Sequence, residues 1–208
     1  MKKGAFIVLE GPDKSGKSTQ AGLIARYLRL KKIPFIHTRE PGGTSFAEAI
    51  RRILLKPGPQ VDPVAELLLY EAARAQHTRE KLLPALQAGK AVLCERYTLA
   101  TLAYQGYARG LSLPLIRNLN FIATQGLKPD ITFLLDIPES SFDSREQNRR
   151  HDRLEQEPRR FRRQVRAGYL AAARKDPKIV LLNGRLDVKE VHRRMLKILD
   201  PLLSCRRP

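Results

Sequence analysis

The 208-residue sequence has no tryptophan, only two cysteines and no long apolar run. Cys94 lies in a short apolar run and Cys205 in the C-terminal tail, so the sequence predicts neither a disulfide framework nor a zinc site. Apolar segments such as residues 131–137 are far shorter than the ~18 residues that a bilayer span requires. The apolar run at residues 6–9 is too short for the core of a secretory signal. These absences predict a cytoplasmic protein with no membrane partner.

Aromatic residues are scarce, at 6% of the chain, whereas basic residues are in excess. The 39 Lys and Arg residues against 21 Asp and Glu give a net charge of +18. Such a charge predicts attraction to polyanions, which include nucleic acids, nucleotide phosphates and acidic lipids. Proteins that bind single-stranded nucleic acid stack bases on aromatic side chains, which are few here, and the sequence has no recognised reader motif. We therefore expect no specific nucleic-acid partner.

Short apolar runs rich in Val, Ile, Leu and Phe recur along the chain. They lie at residues 5–9, 34–37, 91–94, 131–137 and 179–182. Continuous apolar runs are typical of strands buried on both faces of a parallel sheet, and the segments between these runs have helical periodicity. The pattern predicts a three-layer α/β fold, with a five-stranded parallel sheet, helices on both faces and ligands at the carboxyl ends of the strands. At this length we expect a single domain, residues 1–208.

An arginine-rich segment, residues 145–166, is the one break in composition, because nine arginines face four acids there. The segment is either a solvated helix face or a phosphate-binding lid. We expect a mobile lid at about residues 141–158, carried by a core of residues 1–140 and 167–208.

A full phosphate-loop motif, G-x-x-x-x-G-K-[ST], follows the first apolar run at residues 11–18. A buried strand before the loop and an amphipathic helix after it allow backbone N–H groups to converge on a polyphosphate. Lys17 is expected to reach the β- and γ-phosphates of ATP, and the Ser18 hydroxyl to ligate Mg²⁺. The predicted ATP-binding residues are Gly11, Pro12, Asp13, Lys14, Ser15, Gly16, Lys17, Ser18 and Thr19.

Five further strings follow the loop in a fixed order. They are Arg-Glu-Pro-Gly-Gly-Thr at 39–44, Tyr-Glu-Ala-Ala-Arg-Ala-Gln-His at 70–77, Glu-Arg-Tyr at 95–97, Ala-Tyr-Gln-Gly at 103–106 and Asp-Arg-Leu-Glu at 152–155. The series resembles the thymidylate kinases of bacteria, and the similarity runs from the first strand to the last helix. The resemblance implies the fold of the P-loop nucleoside monophosphate kinases. It also implies transfer of the γ-phosphoryl group of Mg-ATP to dTMP, which gives dTDP, and a homodimer.

The resemblance also assigns roles to single residues. Arg39, Arg51 and Arg96 would hold the acceptor phosphate, a task suited to bidentate guanidinium groups. Tyr70 would lie against the thymine ring, and Arg74, on the same face of a helix, would donate to a thymine carbonyl. The remaining implied contacts are the deoxyribose at Asp13, Tyr104 and Gln105, the nucleotide at Thr101, and Mg²⁺ at Ser18 and Glu95. The implied catalytic residues are Lys17, Arg96, Arg149 and Arg153.

Three residues depart from the pattern of the family. Glu95 stands where aspartate is usual, Ala100 stands where serine is usual, and Lys14 lies within the phosphate loop. Two other functions stay open at this point. One is a kinase of another pyrimidine nucleoside or deoxynucleoside monophosphate, and the other, which the scarcity of aromatics disfavours, is a nucleic-acid-binding P-loop ATPase.

Overall fold

The computed structural model describes residues 3–58, 60–144 and 152–204. Five parallel strands form one sheet in the order β2-β3-β1-β4-β5, so the prediction of a five-stranded parallel sheet is confirmed. The strands are β1 Phe6–Glu10, β2 Phe35–Arg39, β3 Ala91–Glu95, β4 Ile131–Asp136 and β5 Ile179–Asn183. The central strand β1 is buried along its whole length, which explains why its sequence is continuously apolar until Glu10.

Helices surround the sheet within the described residues. They are α1 Lys17–Leu30, α2 Ser45–Leu55, α3 Pro63–His77, α4 Leu83–Gln87, α5 Thr98–Thr101, α6 Leu113–Thr124, α7 Ser140–Ser144, α8 Arg159–Ala173 and α9 Val188–Ser204. The π-helical segment Thr78–Leu82 joins α3 to α4, and a second, Leu102–Ala108, extends α5. No helix in the described part of the chain is both long enough and apolar enough to cross a membrane.

The side chains of β1 alternate between two hydrophobic cores, as the two-residue period of a strand requires. Ile7 and Leu9 pack in the core formed with α1 and α9. Phe6 and Val8 pack on the other face, with side chains of α4 and the segment before it. Next to this second core, Tyr169 of α8 packs with the extension of α5 and with β4.

The N-terminus of α1 is suited to bind an anion at the carboxyl end of the sheet. Gly16, which precedes the helix, has a φ of +96°, a left-handed conformation that glycine adopts at little cost. No side chain caps this end of α1, whereas Thr44 caps α2 and Asp62 caps α3. The first N–H groups of α1 therefore face the end of β1 without a side-chain acceptor, which is the arrangement that anions occupy at helix N-termini.

Two helical glycines allow a test of the close packing between α8 and the extension of α5. A Cβ atom at Gly168 would lie 2.9 Å from the Cα atom of Ala103, whereas a Cβ atom at Gly22 in α1 would have no neighbour within 4 Å. We expect Gly168→Ala to lower the free energy of unfolding by about 1–3 kcal/mol. Gly22→Ala should raise it by about 0.5–1 kcal/mol, because alanine stabilises a helix. Urea denaturation of both variants measures the difference, and equal effects would contradict the described packing.

Candidate active site

The phosphate loop connects β1 to α1 and holds Lys17 over its own backbone. The Lys17 ammonium group donates hydrogen bonds to the carbonyl oxygens of Gly11, at 3.0 Å, and Pro12, at 2.7 Å. It also lies 3.4 Å from Ser15 Oγ. Burial and the positive charge of Arg96 lower the pKa of Lys17 to about 7. A bound polyphosphate would place negative charge beside Lys17 and so stabilise its ammonium form.

Ser18 and Glu95, the residues expected to hold Mg²⁺, lie together. The Ser18 hydroxyl donates to Glu95 Oε2 at 2.5 Å, and the other carboxylate oxygen lies 3.0 Å from His37 Nε2. Burial opposes ionisation of Glu95, but the contacts with His37 and Ser18 outweigh burial and lower its pKa below the ordinary value. A hydroxyl and an ionised carboxylate are hard oxygen donors of the kind that Mg²⁺ prefers, so these residues fit the ion.

Two cavities meet at the carboxyl end of the sheet. The larger, of about 1880 Å³ and open to solvent, is lined by residues 13–20 of the loop and α1, and by Arg39 and Glu95. The smaller, of about 550 Å³, lies beside it. The predicted acceptor-site residues that line the smaller cavity are Tyr70, Arg74, Thr101, Tyr104 and Gln105. The two cavities share a wall, which consists of Asp13, Glu40, Arg51, Arg96 and Asp152.

Arg96 is the centre of this shared wall. It follows β3 and reaches back to the phosphate loop, where its guanidinium group donates to the Gly11 carbonyl oxygen at 3.0 Å and forms a short ion pair with Asp13. The Tyr104 hydroxyl donates to the other oxygen of Asp13 at 2.8 Å. Burial would raise the pKa of Asp13, but Arg96 and Lys17 lower it overall, so the carboxylate is ionised. The structure thus brings Asp13, Arg96 and Tyr104 together.

The other two predicted phosphate-binding arginines also reach the larger cavity. Arg51, on α2, donates to the Pro41 carbonyl oxygen at 2.9 Å and lies in the shared wall. Arg39 ends β2, where its side chain is 55% exposed and pairs with Glu48 at 3.4 Å. A guanidinium group with such an exposed partner can exchange it for a phosphate at little cost.

Arg74 lines the smaller cavity, yet its guanidinium group is buried and bound by the protein itself. It pairs with Glu40 at 2.8 Å and with Glu71 at 2.6 Å, and it donates to Thr101 Oγ1 at 2.8 Å. The side chains of Arg74 and Glu71 are both less than a tenth exposed. Glu40, which also contacts the buried His77, is a partner that sequence reasoning missed.

Arg153, an expected catalytic arginine of the lid, contacts a buried carboxylate in this structure. Its guanidinium group donates to the Leu54 carbonyl oxygen at 2.9 Å and lies 2.6 Å from Glu66, a fully buried carboxylate of α3. Glu66 also accepts from Gln105 Nε2 at 2.7 Å and pairs with Arg109 at 3.2 Å. In this structure the partner of Arg153 is a buried carboxylate, and its assignment to the transferring phosphoryl group stays a prediction. Arg149 lies outside the described residues, and its role stays a prediction.

The Lys14 side chain extends from the phosphate loop towards Phe142 of α7. Its ammonium group lies 3.9 Å from the centre of the Phe142 ring, and the guanidinium group of Arg162 lies 4.4 Å from the same centre. Cations over an aromatic face are attracted by its quadrupole. Lys14 thus lines the larger cavity with the rest of the loop, while its ammonium group lies against the Phe142 ring of α7.

A phosphate loop by itself defines only a nucleotide-binding protein. Here its cavity adjoins a second cavity, and the two share a wall of arginine, aspartate and glutamate side chains. Two phosphorylated ligands could thus meet end to end across that wall, which is the geometry of a P-loop kinase acting on a small acceptor.

Known proteins with similar sequences and structures identify the family. Residues 9–195 match the family model described as thymidylate kinase. Thymidylate kinase of Carboxydothermus hydrogenoformans is 48% identical over 190 residues, which cover 91% of this chain and 93% of that protein. The crystal structure of thymidylate kinase from Ehrlichia chaffeensis superposes with a TM-score of 0.77 at 33% identity, covering 95% of this chain and 99% of that one. The chain belongs to the thymidylate kinase family.

The lowered pKa of Lys17 predicts that nucleotide binding takes up a proton. Above pH 7 the free protein increasingly loses the Lys17 proton, whereas bound phosphates stabilise the ammonium form. We expect Mg-ATP binding at pH 8 to take up about one proton and its affinity to fall by up to about tenfold per pH unit above 7. Calorimetry in two buffers of different ionisation enthalpy measures the uptake. Lys17→Met should abolish it, and wild-type binding at pH 8 without proton uptake would contradict the lowered pKa.

Proposed function

We propose that this chain is a cytoplasmic enzyme that transfers the γ-phosphoryl group of Mg-ATP to dTMP, giving dTDP and ADP. The observation that carries the proposal is the wall shared by the two cavities. Because Arg51 and Arg96 face both sides of it, donor and acceptor phosphates would lie against the same guanidinium groups. Phosphoryl transfer consists largely of holding two phosphates in line and stabilising the charge between them, and this wall is suited to both tasks.

The donor side of the reaction would use the phosphate loop. The uncapped start of α1 offers backbone N–H groups to the phosphates, and Lys17 offers its ammonium group from the loop. Ser18 and Glu95 would hold Mg²⁺ between the loop and the end of β3. When bound, the ion neutralises charge on the phosphate oxygens.

The acceptor side would use the smaller cavity and the arginines beside it. Arg39, Arg51 and Arg96 would bind the monophosphate, since planar guanidinium groups match pairs of phosphate oxygens. The fixed partners of Arg74 hold its guanidinium group at the cavity before any ligand binds, which reduces the cost of ordering it. Tyr70 supplies an aromatic surface for a pyrimidine ring.

The sugar would lie near the ion pair of the shared wall. Asp13 offers carboxylate oxygens to a 3′-hydroxyl, although Arg96 and Tyr104 already occupy positions on them. Tyr104 is fixed by this contact and by its packing against Tyr169, so its ring is a rigid barrier beside the sugar. A rigid barrier of this kind supports a preference for deoxyribonucleotides over ribonucleotides.

A panel of acceptors tests the proposed reaction. ADP release is measured with Mg-ATP and each of dTMP, dUMP, UMP, CMP, AMP and thymidine. We expect the highest kcat/KM with dTMP and none measurable with thymidine, which lacks the phosphate that the arginines bind. A preference for UMP or CMP would favour a different pyrimidine monophosphate kinase, and release of ADP independent of every acceptor would indicate an ATPase.

Lys17→Met tests the phosphate loop in the same assay. The variant should fold normally and lose at least about a hundredfold in kcat, because the charge of Lys17 acts on the transferring group. Lys175→Met, which removes an exposed lysine far along the chain, is the matched control and should keep wild-type turnover. Equal activity of the two variants would remove the loop from the mechanism.

We also infer a homodimer, formed through the outer faces of α2, α3 and α6. The three helices pack side by side, α2 on α3 and α3 on α6. Together they expose most of the large apolar side chains that the described part of the chain leaves in solvent. These are Phe46, Ile53, Val64, Leu68, Leu115, Phe121 and Ile122. Large apolar patches are uncommon on monomers and common at interfaces between identical chains.

Leu68 of α3 lies on the middle helix of this face and is 51% exposed. Leu68→Glu would bury two carboxylates in a two-fold interface, so we expect it to convert the dimer to a monomer at micromolar concentration. Light scattering coupled to size-exclusion chromatography measures the mass. The control is Leu30→Glu at the end of α1, which is 73% exposed and should leave the dimer intact. A monomeric wild-type protein would contradict the inferred dimer.

A further inference from the structure

Glu10 is a buried carboxylate that the proposed reaction does not use. It is the last residue of β1, it precedes the phosphate loop directly, and its side chain has no exposed surface. A carboxylate in the middle of a parallel sheet is costly unless hydrogen bonds and charges compensate it. Burial does raise the pKa of Glu10, although Arg96 and the groups that donate to it oppose the rise.

One oxygen of Glu10 fixes the backbone on the far side of Arg96. Oε1 accepts hydrogen bonds from the backbone N–H groups of Tyr97, at 2.7 Å, and Ala100, at 3.2 Å. These groups open α5, for which the residue at the start of the helix supplies no side-chain cap. Glu10 thus caps from the neighbouring strand, a task usually done within the helix itself.

The turn that this oxygen holds is strained. Arg96 has a φ of +67°, in the left-handed region that costs a residue with a side chain about 1 kcal/mol or more. The N–H group of Arg96 donates to the Leu9 carbonyl oxygen at 2.8 Å. After it, the N–H groups of Tyr97 and Ala100 donate to Glu10. The bonds on both sides of Arg96 maintain the conformation that sends its side chain back to the phosphate loop.

The other oxygen of Glu10 acts on the guanidinium group. Oε2 accepts the hydroxyl proton of Tyr169 at 3.0 Å, and the Tyr169 oxygen accepts from Arg96 Nη1 at 3.1 Å. A phenol has one proton to donate. Because Glu10 takes that proton, the lone pairs of the Tyr169 oxygen face Arg96.

We propose that Glu10 is a positioning residue for Arg96, holding its backbone through Oε1 and its guanidinium group through Oε2 and Tyr169. The inference rests on the proposed function, in which Arg96 stabilises charge at the transferring phosphoryl group. Stabilisation of this kind depends on donors that are held in place before the reaction begins. Glu10 does not line either cavity, so it acts on the substrates through other groups, and Arg96 is the one that both of its oxygens hold.

Glu10→Gln tests the role with little change of volume. The amide keeps an oxygen for the Tyr97 and Ala100 N–H groups but turns an N–H donor towards the Tyr169 hydroxyl, which must then point its proton at Arg96. We expect kcat with Mg-ATP and dTMP to fall at least tenfold, while the affinity for Mg-ATP, measured by calorimetry, changes less than twofold. The control is Asp130→Asn, which weakens a carboxylate bond to the Phe6 N–H group remote from the cavities and should leave kcat unchanged.

Tyr169→Phe removes only the hydroxyl that links Glu10 Oε2 to the Arg96 guanidinium group, and it leaves the backbone contacts of Oε1 in place. It should lower kcat by threefold or more, and in the Glu10→Gln background it should add less than twofold, because both changes break the same chain of contacts. Independent, multiplying effects would contradict the proposal, as would wild-type kcat in either folded variant. If Glu10→Gln fails to fold, Tyr169→Phe decides alone.

A crystal structure of Glu10→Gln gives a readout that does not depend on the substrate. We expect the Arg96 guanidinium group to move by 1 Å or more from the Tyr169 oxygen. An unchanged Arg96 would overturn the proposal even if activity fell. Wild-type inactivity with dTMP would instead overturn the proposed function, and the position of Arg96 in the variant would still decide whether Glu10 holds it.

Discussion

Arg96 reaches from the turn after β3 to the carboxylate of Asp13 in the phosphate loop, and this ion pair connects the two strands that carry the site. The larger cavity lies on one side of the pair and the smaller cavity on the other. Because Asp13 and Arg96 follow the ends of the adjacent parallel strands β1 and β3, the sheet register, which aligns Leu9 with Glu95, brings them near each other. The geometry of both cavities therefore depends on one contact at the carboxyl ends of β1 and β3.

Several basic side chains lie close together around this contact, among the carboxylates of the same cavity. Lys17 is close enough to Arg96 for its pKa to be lowered, and Arg39 and Arg51 face the same cavity. Like charges at short range destabilise the free protein, and bound phosphates relieve the repulsion. The same arrangement thus lowers stability without ligand and favours binding of two anions at once.

The sequence predicted the sheet and the phosphate loop well because their requirements are local. The loop needs its glycines, lysine and serine within eight consecutive positions, and a buried strand needs a short apolar run. The buried carboxylates Glu10, Glu40 and Glu66 could not be predicted, since their partners lie far along the chain and only the fold brings them together. The contact of Arg153 with Glu66 could not be predicted for the same reason. A guanidinium group binds a buried carboxylate as readily as a phosphate, and sequence alone does not show which one is near.

The strand order explains why the loop, rather than another turn, became the centre of the site. After β1 the chain crosses to β2 and returns through β3, and it then passes over β1 to form β4 and β5 on the other side. The connections that leave the neighbouring strands β1 and β3 run in opposite directions, so a crevice opens between their carboxyl ends, where ligands bind in open α/β sheets. Glu10 occupies the last position of β1 beneath that crevice. A residue there can touch the turns of neighbouring elements at once, which is why a carboxylate at this position can hold both the backbone and, through Tyr169, the side chain of Arg96.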